Sequence, residues 1–163
     1  MNYLEQITNS ELTLISDLAH DIAKRTLAVY TSRLKEYGLT FQQTMVILLT
    51  ARYQDTEQKI YQKDLERMLG LTNPSVTSLV KTLVANDYIY RIQDESDGRY
   101  YHLHLTPKSA GMTEDLARTI HESNEMFENL LTKKENEQLI PLMQKLSDQL
   151  KKTEERMGIR KQY

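Results

Sequence analysis

The chain has 163 residues, 39% hydrophobic and 27% charged, with a formal net charge of −2. This balance is typical of one globular domain over residues 1–163, and no apolar run approaches the roughly 20 residues that would span a membrane. The absence of cysteine excludes disulfides, cysteine-ligated zinc and thiol redox sensing. No secretory leader is recognisable at the N-terminus, so we expect a cytoplasmic protein.

Two helices are predicted in the N-terminal third. The first begins after the capping-box spacing of Thr8 and Glu11 and ends at Gly38, since glycine readily adopts the left-handed conformation that closes a helix. Thr40 and Gln43 repeat the capping-box spacing before a second helix. The apolar MVILL run in that helix predicts that it is buried.

Two shorter helices are predicted next. Residues 63–69 form the third, which Gly70 stops. The fourth runs to about Ala85 and begins at Asn73 and Pro74, because asparagine is a favoured N-cap and proline is tolerated in the first turn.

A β-hairpin follows the fourth helix. Residues 88–93 and 100–105 are rich in aromatic and branched side chains that partly alternate, and residues 94–98 between them have turn composition. Two short helices followed by such a hairpin are a winged helix-turn-helix, a fold that commonly inserts its second helix into the DNA major groove.

The C-terminal third is predicted to be helical. The Thr106-Pro107 pair opens a long fifth helix towards Leu131, and the capping box at residues 132–135 opens the last one. Pro141 is expected to kink that last helix or to mark its true start.

The fourth helix has two distinct faces. Its apolar face recurs at helical spacing, and its opposite face carries short polar side chains and one lysine, which suit base edges and phosphates. An ordinary solvent-facing helix is the alternative, although such helices normally favour Glu and Lys. We predict DNA contacts at Lys63, Asn73, Ser75, Thr77, Ser78, Lys81, Arg91, Asp97 and Arg99.

The hairpin supplies the second predicted contact. Arg99 follows the turn and is placed to enter a minor groove, while Asp97 could hold the loop or orient an arginine, with Arg91 as a candidate partner. A solvated hairpin with a routine salt bridge is the alternative. The residues from Lys59 to Lys108 include seven Lys or Arg and six Asp or Glu, so binding would depend on a few well-placed cations.

The pattern resembles the MarR (multiple antibiotic resistance regulator) family of transcription regulators. The residues that carry the resemblance are Gly38, Thr40, Gln43, Asp64, Leu65, Leu69, Gly70, Leu71, Ser75, Thr77, Leu79, Lys81, Leu83, Ile89, Arg91, Asp97, Arg99, Leu103, Leu105 and Thr106. The Asp-x-Arg wing before a Leu-Thr strand end is the most specific element. The sequence departs from the family at Tyr61, Glu66 and Asp87.

The resemblance implies a homodimeric regulator, most often a repressor, that binds a pseudo-palindromic operator. Residues 40–106 would form the DNA-binding region, with residues 1–39 and 107–163 as dimerisation helices. The interface would use the apolar side chains Leu12, Ile15, Leu18, Ile22, Leu116, Ile120, Phe127, Leu130, Leu142, Leu146 and Leu150. The alternative for this stripe is an intramolecular core.

Many such regulators are released by a small ligand, and we hypothesise an aromatic or amphipathic effector near Tyr30, Arg33, Tyr37, Met45 and Tyr53. Ordinary core and surface positions are the alternative for each of these side chains.

The histidines offer little catalytic or metal chemistry. For His102 and His104, phosphate contact or solvent exposure is favoured over a metal, and a site shared by His20-Asp21 and His121-Glu122 is less favoured than interfacial histidines. No cofactor or enzymatic motif is recognised. The second functional hypothesis is a winged helix that binds protein instead of DNA.

Overall fold

The computed structural model describes residues 15–54 and 56–158. In chain order its elements are α1 (Ile15–Leu34), α2 (Phe41–Gln54), α3 (Gln62–Leu69), α4 (Asn73–Ala85), β1 (Ile89–Gln93), β2 (Tyr101–Leu105), α5 (Pro107–Ala110), α6 (Thr113–Glu128) and α7 (Lys133–Arg156). A short 3₁₀ turn, Lys35–Tyr37, follows α1. The predicted class, mainly helical with one small hairpin, is confirmed.

Local signals account for most of the helix ends. Gly38 and Gly70 have φ angles of 66° and 63°, the left-handed conformation expected of glycine after a helix. The Thr40 N–H donates to the Gln43 side chain at 2.9 Å and Thr40 Oγ1 accepts from the Gln43 N–H at 3.3 Å, which confirms that capping box. The box proposed at Thr8 lies outside the described residues.

The start of α4 differs from the prediction. Its N-cap is Thr72, whose Oγ1 accepts a hydrogen bond from the Ser75 N–H at 3.3 Å, and Asn73 is already helical. Threonine and asparagine are both good caps. The Asn73 side chain instead donates to Glu66 of α3 at 2.6 Å, so Asn73 joins two helices while Thr72 provides the cap.

The long fifth helix of the prediction is two helices. The helix opened by Thr106 ends after Ala110, and α6 begins at Thr113. The first of these helices has Gly111 as its C-cap, and glycine is a weak helix former. Ser109, just before the break, is fully buried and donates its hydroxyl to the Tyr88 carbonyl of the wing. Pro141 lies inside α7 and does not mark its start.

The two wing strands pair antiparallel, with Ile89 opposite Leu105 and Gln93 opposite Tyr101. The segment before α3 extends this sheet, because the Leu103 N–H donates to the Ile60 carbonyl at 2.9 Å. Asp87 enters β1 with a φ of 58°, so an aspartate adopts the left-handed conformation at the position where the resemblance implies glycine.

Among the described residues, one buried cluster joins helices α1 to α4 and α6 to the wing. Its members include Leu34, Val46, Ile47, Leu65, Val76, Val80, Leu83, Ile89, Leu103 and Leu116. Leu116 is 0% exposed, so it belongs to the core of the single chain and is not available to a partner, contrary to the prediction. Ile120 packs against the same core. Leu12, proposed for the dimer interface, lies outside the described residues.

Helix α7 presents its apolar side chains to solvent. Leu142 and Leu150 are 65% and 55% exposed, and on α1 Ile15 is 68% exposed. None of the helices that the structure describes has the length and apolar character of a membrane-spanning segment.

Candidate nucleic-acid interface

Helix α4 has the two faces that its sequence predicts. Val76, Val80 and Leu83 are at most 1% exposed and point into the core. The opposite face is exposed and consists of Asn73, Ser75, Thr77, Ser78, Lys81 and Thr82. This face offers hydroxyl and amide groups and one ammonium, with no large apolar side chain, and therefore suits a polar surface.

The N-terminal turn of α4 is tied to α3. Asn73 donates to Glu66 at 2.6 Å, and Thr77 Oγ1 accepts from Gln62 Nε2 at 3.3 Å. Two of the predicted DNA contacts therefore also fix the angle between the helices. Glu66, which departs from the family pattern, has a role here as the acceptor for Asn73.

Asp97 and Arg99 form an ion pair at the tip of the wing. Arg99 Nη2 lies 2.7 Å from Asp97 Oδ2, and Arg99 Nε lies 3.0 Å from Asp97 Oδ1. The pair lowers the pKa of Asp97 and raises that of Arg99, mainly through these side-chain hydrogen bonds. Asp97 thus holds Arg99, one of the two arginines considered for it, and the other candidate, Arg91, is not its partner.

Arg99 remains available despite this pair, since its side chain is 84% exposed. The Asp97 carboxylate also accepts the backbone N–H of Arg99 at 3.1 Å. Asp97 therefore fixes both the loop backbone and the side-chain direction, and Arg99 projects a guanidinium whose remaining N–H groups can bind an anion.

Asp94 fixes the base of the wing, a role that sequence reasoning missed. The residue is 5% exposed. Its carboxylate accepts from the Tyr61 hydroxyl at 2.6 Å, from Lys59 Nζ at 3.0 Å and from the Ser96 N–H at 2.9 Å. The Ser96 hydroxyl donates to the same group. These hydrogen bonds, with those from Ser96 first, hold the pKa of Asp94 far below its usual range.

Part of the Asp94 role is visible in the sequence. An aspartate that opens a turn and is followed two residues later by serine favours an Asx-type turn. Its contacts with Lys59 and Tyr61 span more than 30 residues, and local sequence patterns do not reveal contacts at that separation.

Three predicted contact residues meet beside the wing. Lys63, Asn73 and Arg99 line a groove of about 440 Å³, together with Tyr61, Gln62, Glu66, Tyr100 and Tyr101. Lys63 and Asp97 also line an adjoining cavity of about 430 Å³. The wing tip, α3 and the start of α4 therefore border one continuous surface.

Two of the proposed effector residues share one cavity, and the other three do not line it. Arg33 and Tyr37 line a cavity of about 770 Å³ between α1 and α6, with Ser32, Lys35, Glu36, Arg118, Thr119 and Glu122. Tyr30 instead packs on Phe41 and Phe127. Met45 and Tyr53 belong to α2 and are also absent from this lining.

The wing histidines differ from the expectation of phosphate contact or exposure. His102 is 8% exposed, and its Nδ1 lies 2.7 Å from Nε2 of the half-buried His104. Elsewhere, His121 lies 3.5 Å from Glu125, and Glu122 pairs with Arg33. Among the described residues, no group of three or more His, Asp or Glu side chains could hold a metal.

Comparison with known proteins agrees with this geometry. A model of the MarR family matches residues 37–99, the part that contains α2, α3, α4, β1 and the turn at the tip of the wing. The regulator SarZ of Staphylococcus aureus strain USA300 is 30% identical over 95 residues, which are 58% of this chain and 62% of SarZ. The chain thus spans less than two thirds of the curated relatives it matches.

Solved structures show the same fold. The S. aureus MepR–DNA complex matches with a TM-score of 0.78 and 22% identity, covering 85% of this chain and 99% of MepR. The reduced form of Escherichia coli MarR matches with a TM-score of 0.67 and 19% identity, covering 84% and 98%. Bordetella bronchiseptica BpsR, described with regulation of its DNA binding by 6-hydroxynicotinic acid, matches with a TM-score of 0.72 and 19% identity, covering 85% and 96%.

Proposed function

We propose that this chain, which belongs to the MarR family, is a transcription regulator that binds duplex DNA and acts as a repressor. The observation that carries this proposal is the shared surface of α4 and the wing. The exposed hydroxyl and amide groups of α4 would read base edges in a major groove. Arg99, held by Asp97 and 84% exposed, would reach the adjacent minor groove or a phosphate.

We include a homodimer in this proposal because a single copy of the chain carries few positive charges for contacts with phosphates. With a formal net charge of −2, one DNA-binding region presents few cations, chiefly Lys63, Lys81, Arg91 and Arg99. Two copies double the phosphate contacts and impose two-fold symmetry on the site. The operator would be pseudo-palindromic, with half-sites about one helical turn apart.

The terminal helices would form the dimer region. Residues 40–106 would bind DNA, while the regions 1–39 and 107–163 would join the two copies. The exposed leucines of α7 and the exposed Ile15, Leu18 and Ile22 of α1 are the apolar surface for that contact. Burial of such a surface is favourable at roughly 25 cal/mol per Å² of apolar area.

A small effector would act through the cavity between α1 and α6. Arg33 and Glu122 form an ion pair of 2.5 Å across it, and Tyr37 of the same lining contacts Thr119 at 3.4 Å. An aromatic carboxylate that engages Arg33 would displace Glu122 and loosen α1 from α6. Because the proposed dimer region includes both helices, that change would alter the spacing of the two DNA-binding regions.

Selection from a random duplex pool tests the central proposal. We expect the full chain to enrich sequences with a two-fold symmetric site, and we expect its affinity for that site to fall steeply with salt. Enrichment of no sequence, together with salt-independent binding, would favour a winged helix that binds protein instead. The polar face of α4 argues against that alternative, since protein interfaces concentrate apolar and aromatic side chains at their centre.

A further inference from the structure

His102 and His104 lie two residues apart on β2 and take no part in the proposed DNA contacts. Alternate residues of a strand face the same side, and on this side the two imidazoles meet. His102 Nδ1 and His104 Nε2 are 2.7 Å apart, with the ring planes inclined at 67°. Two ring nitrogens therefore face each other at hydrogen-bonding distance on one side of the wing.

Neighbouring aromatic rings hold both imidazoles in place. His104 stacks on Tyr90 with ring centroids 5.4 Å apart and an interplanar angle of 24°. His102 meets Tyr61 edge-on at 6.3 Å, and the hydroxyl of Tyr61 is fixed by Asp94. The two rings are thus positioned before any ligand arrives, which lowers the entropic cost of binding one.

We propose that His102 and His104 form a two-histidine chelate for a divalent transition metal that prefers tetragonal geometry, Cu²⁺ foremost. With metal–nitrogen bonds of about 2.0 Å, two nitrogens at right angles lie about 2.8 Å apart, whereas tetrahedral ligands lie about 3.3 Å apart. The observed distance of 2.7 Å between the two ring nitrogens is close to the value for ligands at right angles. Cu²⁺ also binds nitrogen ligands most tightly among the divalent first-row metals.

The tautomers of the pair suit a metal. In a hydrogen-bonded pair of imidazoles, one ring nitrogen donates its N–H and the other accepts through its lone pair. The metal replaces the hydrogen between the rings, and that proton moves to the other nitrogen of the donating imidazole. No third His, Asp or Glu among the described residues completes the site, so water would fill the remaining positions.

Copper titration of the untagged full chain tests this proposal. The chain has four histidines, so the double variant His20→Gln with His121→Gln retains only the wing pair and is the matched control. We expect one Cu²⁺ per chain, with equal affinity in the parent and the control, and a loss of at least about tenfold in affinity in His104→Gln. Unchanged binding by His104→Gln, or loss of binding by the control, would overturn the proposal.

A measurement on the unmodified chain avoids any folding defect in the variants. Small amounts of paramagnetic Cu²⁺ should broaden the imidazole NMR signals of His102 and His104 before those of His20 and His121. Simultaneous broadening of all four histidines would show only scattered surface binding and would contradict a chelate on the wing.

Discussion

Asp97 holds Arg99 by both ends: its carboxylate accepts the Arg99 backbone N–H at 3.1 Å and the guanidinium at 2.7 Å. A long, exposed side chain normally loses much rotamer entropy when it binds. Here part of that loss has already occurred in the unbound protein. Asp97 is thus the residue that positions Arg99. We therefore expect alanine substitutions at Asp97 and at Arg99 to have different effects on operator affinity.

Replacing Arg99 by alanine should weaken operator binding by about 5- to 150-fold for each copy of the wing, the range expected when one specific side-chain interaction with DNA is removed. Asp97→Ala should cost less, because the guanidinium remains and only its orientation is lost. Fluorescence anisotropy with the selected operator would measure both affinities. Circular dichroism should be unchanged in each variant.

Arg118→Ala is the control for this experiment. Arg118 also pairs with an aspartate close in sequence, Asp115, but it lies on α6, outside the proposed DNA-binding region. Its removal should leave operator affinity unchanged in the absence of effector. Equal affinities for Arg99→Ala and the parent would show that the wing makes no important DNA contact.

Because Asp94 is held as a carboxylate by its hydrogen bonds, we expect the stability of the protein to fall at acid pH. Because the pKa of Asp94 is far below the usual value, the stabilisation it provides is complete above the unfolded-state pKa of about 4 and is lost as the pH falls below that value. Asp94→Asn should lower Tm at pH 7 by about 5 °C, through weaker hydrogen bonds to a neutral acceptor. The variant should also lose less stability between pH 5 and pH 2 than the parent does.

Thermal unfolding followed by circular dichroism across this pH range would measure both effects. Glu95→Gln removes the same charge from the exposed neighbouring residue and should change neither the Tm nor its pH dependence appreciably. An Asp94→Asn curve that runs parallel to that of the parent would contradict the predicted coupling.

Local chemistry made much of this fold predictable. Gly38 and Gly70 mark helix ends because each has the positive φ that glycine adopts readily. The faces of α4 follow from the 3.6-residue period alone. The existence of the hairpin followed from its turn composition.

Long-range contacts account for what the sequence did not predict. Thr72 caps α4, and Asn73 instead binds Glu66 of α3. Ser109, just before the break in the predicted long helix, bonds to the Tyr88 carbonyl. The Asp94 network and the His102–His104 contact arise only when the strand and the segment before α3 come together. Each depends on partners that periodicity and capping rules do not identify.

On helix α4, we expect Ser78 to affect the preference for particular bases and Lys81 to affect the affinity for DNA of any sequence. Ser78→Ala should change the preferred base at one position of each half-site, because a hydroxyl that can reach a base edge is removed. Lys81→Ala should weaken binding to all sequences similarly and reduce the magnitude of the salt slope by about 1 for each phosphate that the lysine neutralises. Repeating the duplex selection with each variant, and measuring affinity at several salt concentrations, would separate the two effects.

Lys145→Ala, on the exposed surface of α7, is the charge-matched control and should leave the salt slope unchanged. If neither α4 variant alters preference or affinity, another surface of the chain reads the DNA.

From the exposed apolar side chains of α7, we expect dimer formation to depend on Leu142. This side chain is 65% exposed and continues into Leu146 and Leu150, at 38% and 55%, so a partner copy that covers it would bury a contiguous apolar row. Leu142→Glu places a charge in that row, and the cost of burying an unpaired carboxylate should shift the protein to monomers at micromolar concentration. Light scattering would give the mass of each form, and circular dichroism would confirm that the helices persist.

Gln144→Glu is the matched control, because it introduces the same charge about 200° around the helix, on the opposite side, and should remain dimeric. Two linked DNA-binding regions bind a symmetric site far more tightly than one. Leu142→Glu should therefore also lose most of its operator affinity, although its wing and α4 remain intact. A parent chain of monomeric mass, or a Leu142→Glu dimer as stable as the parent, would show that this stripe does not join two copies.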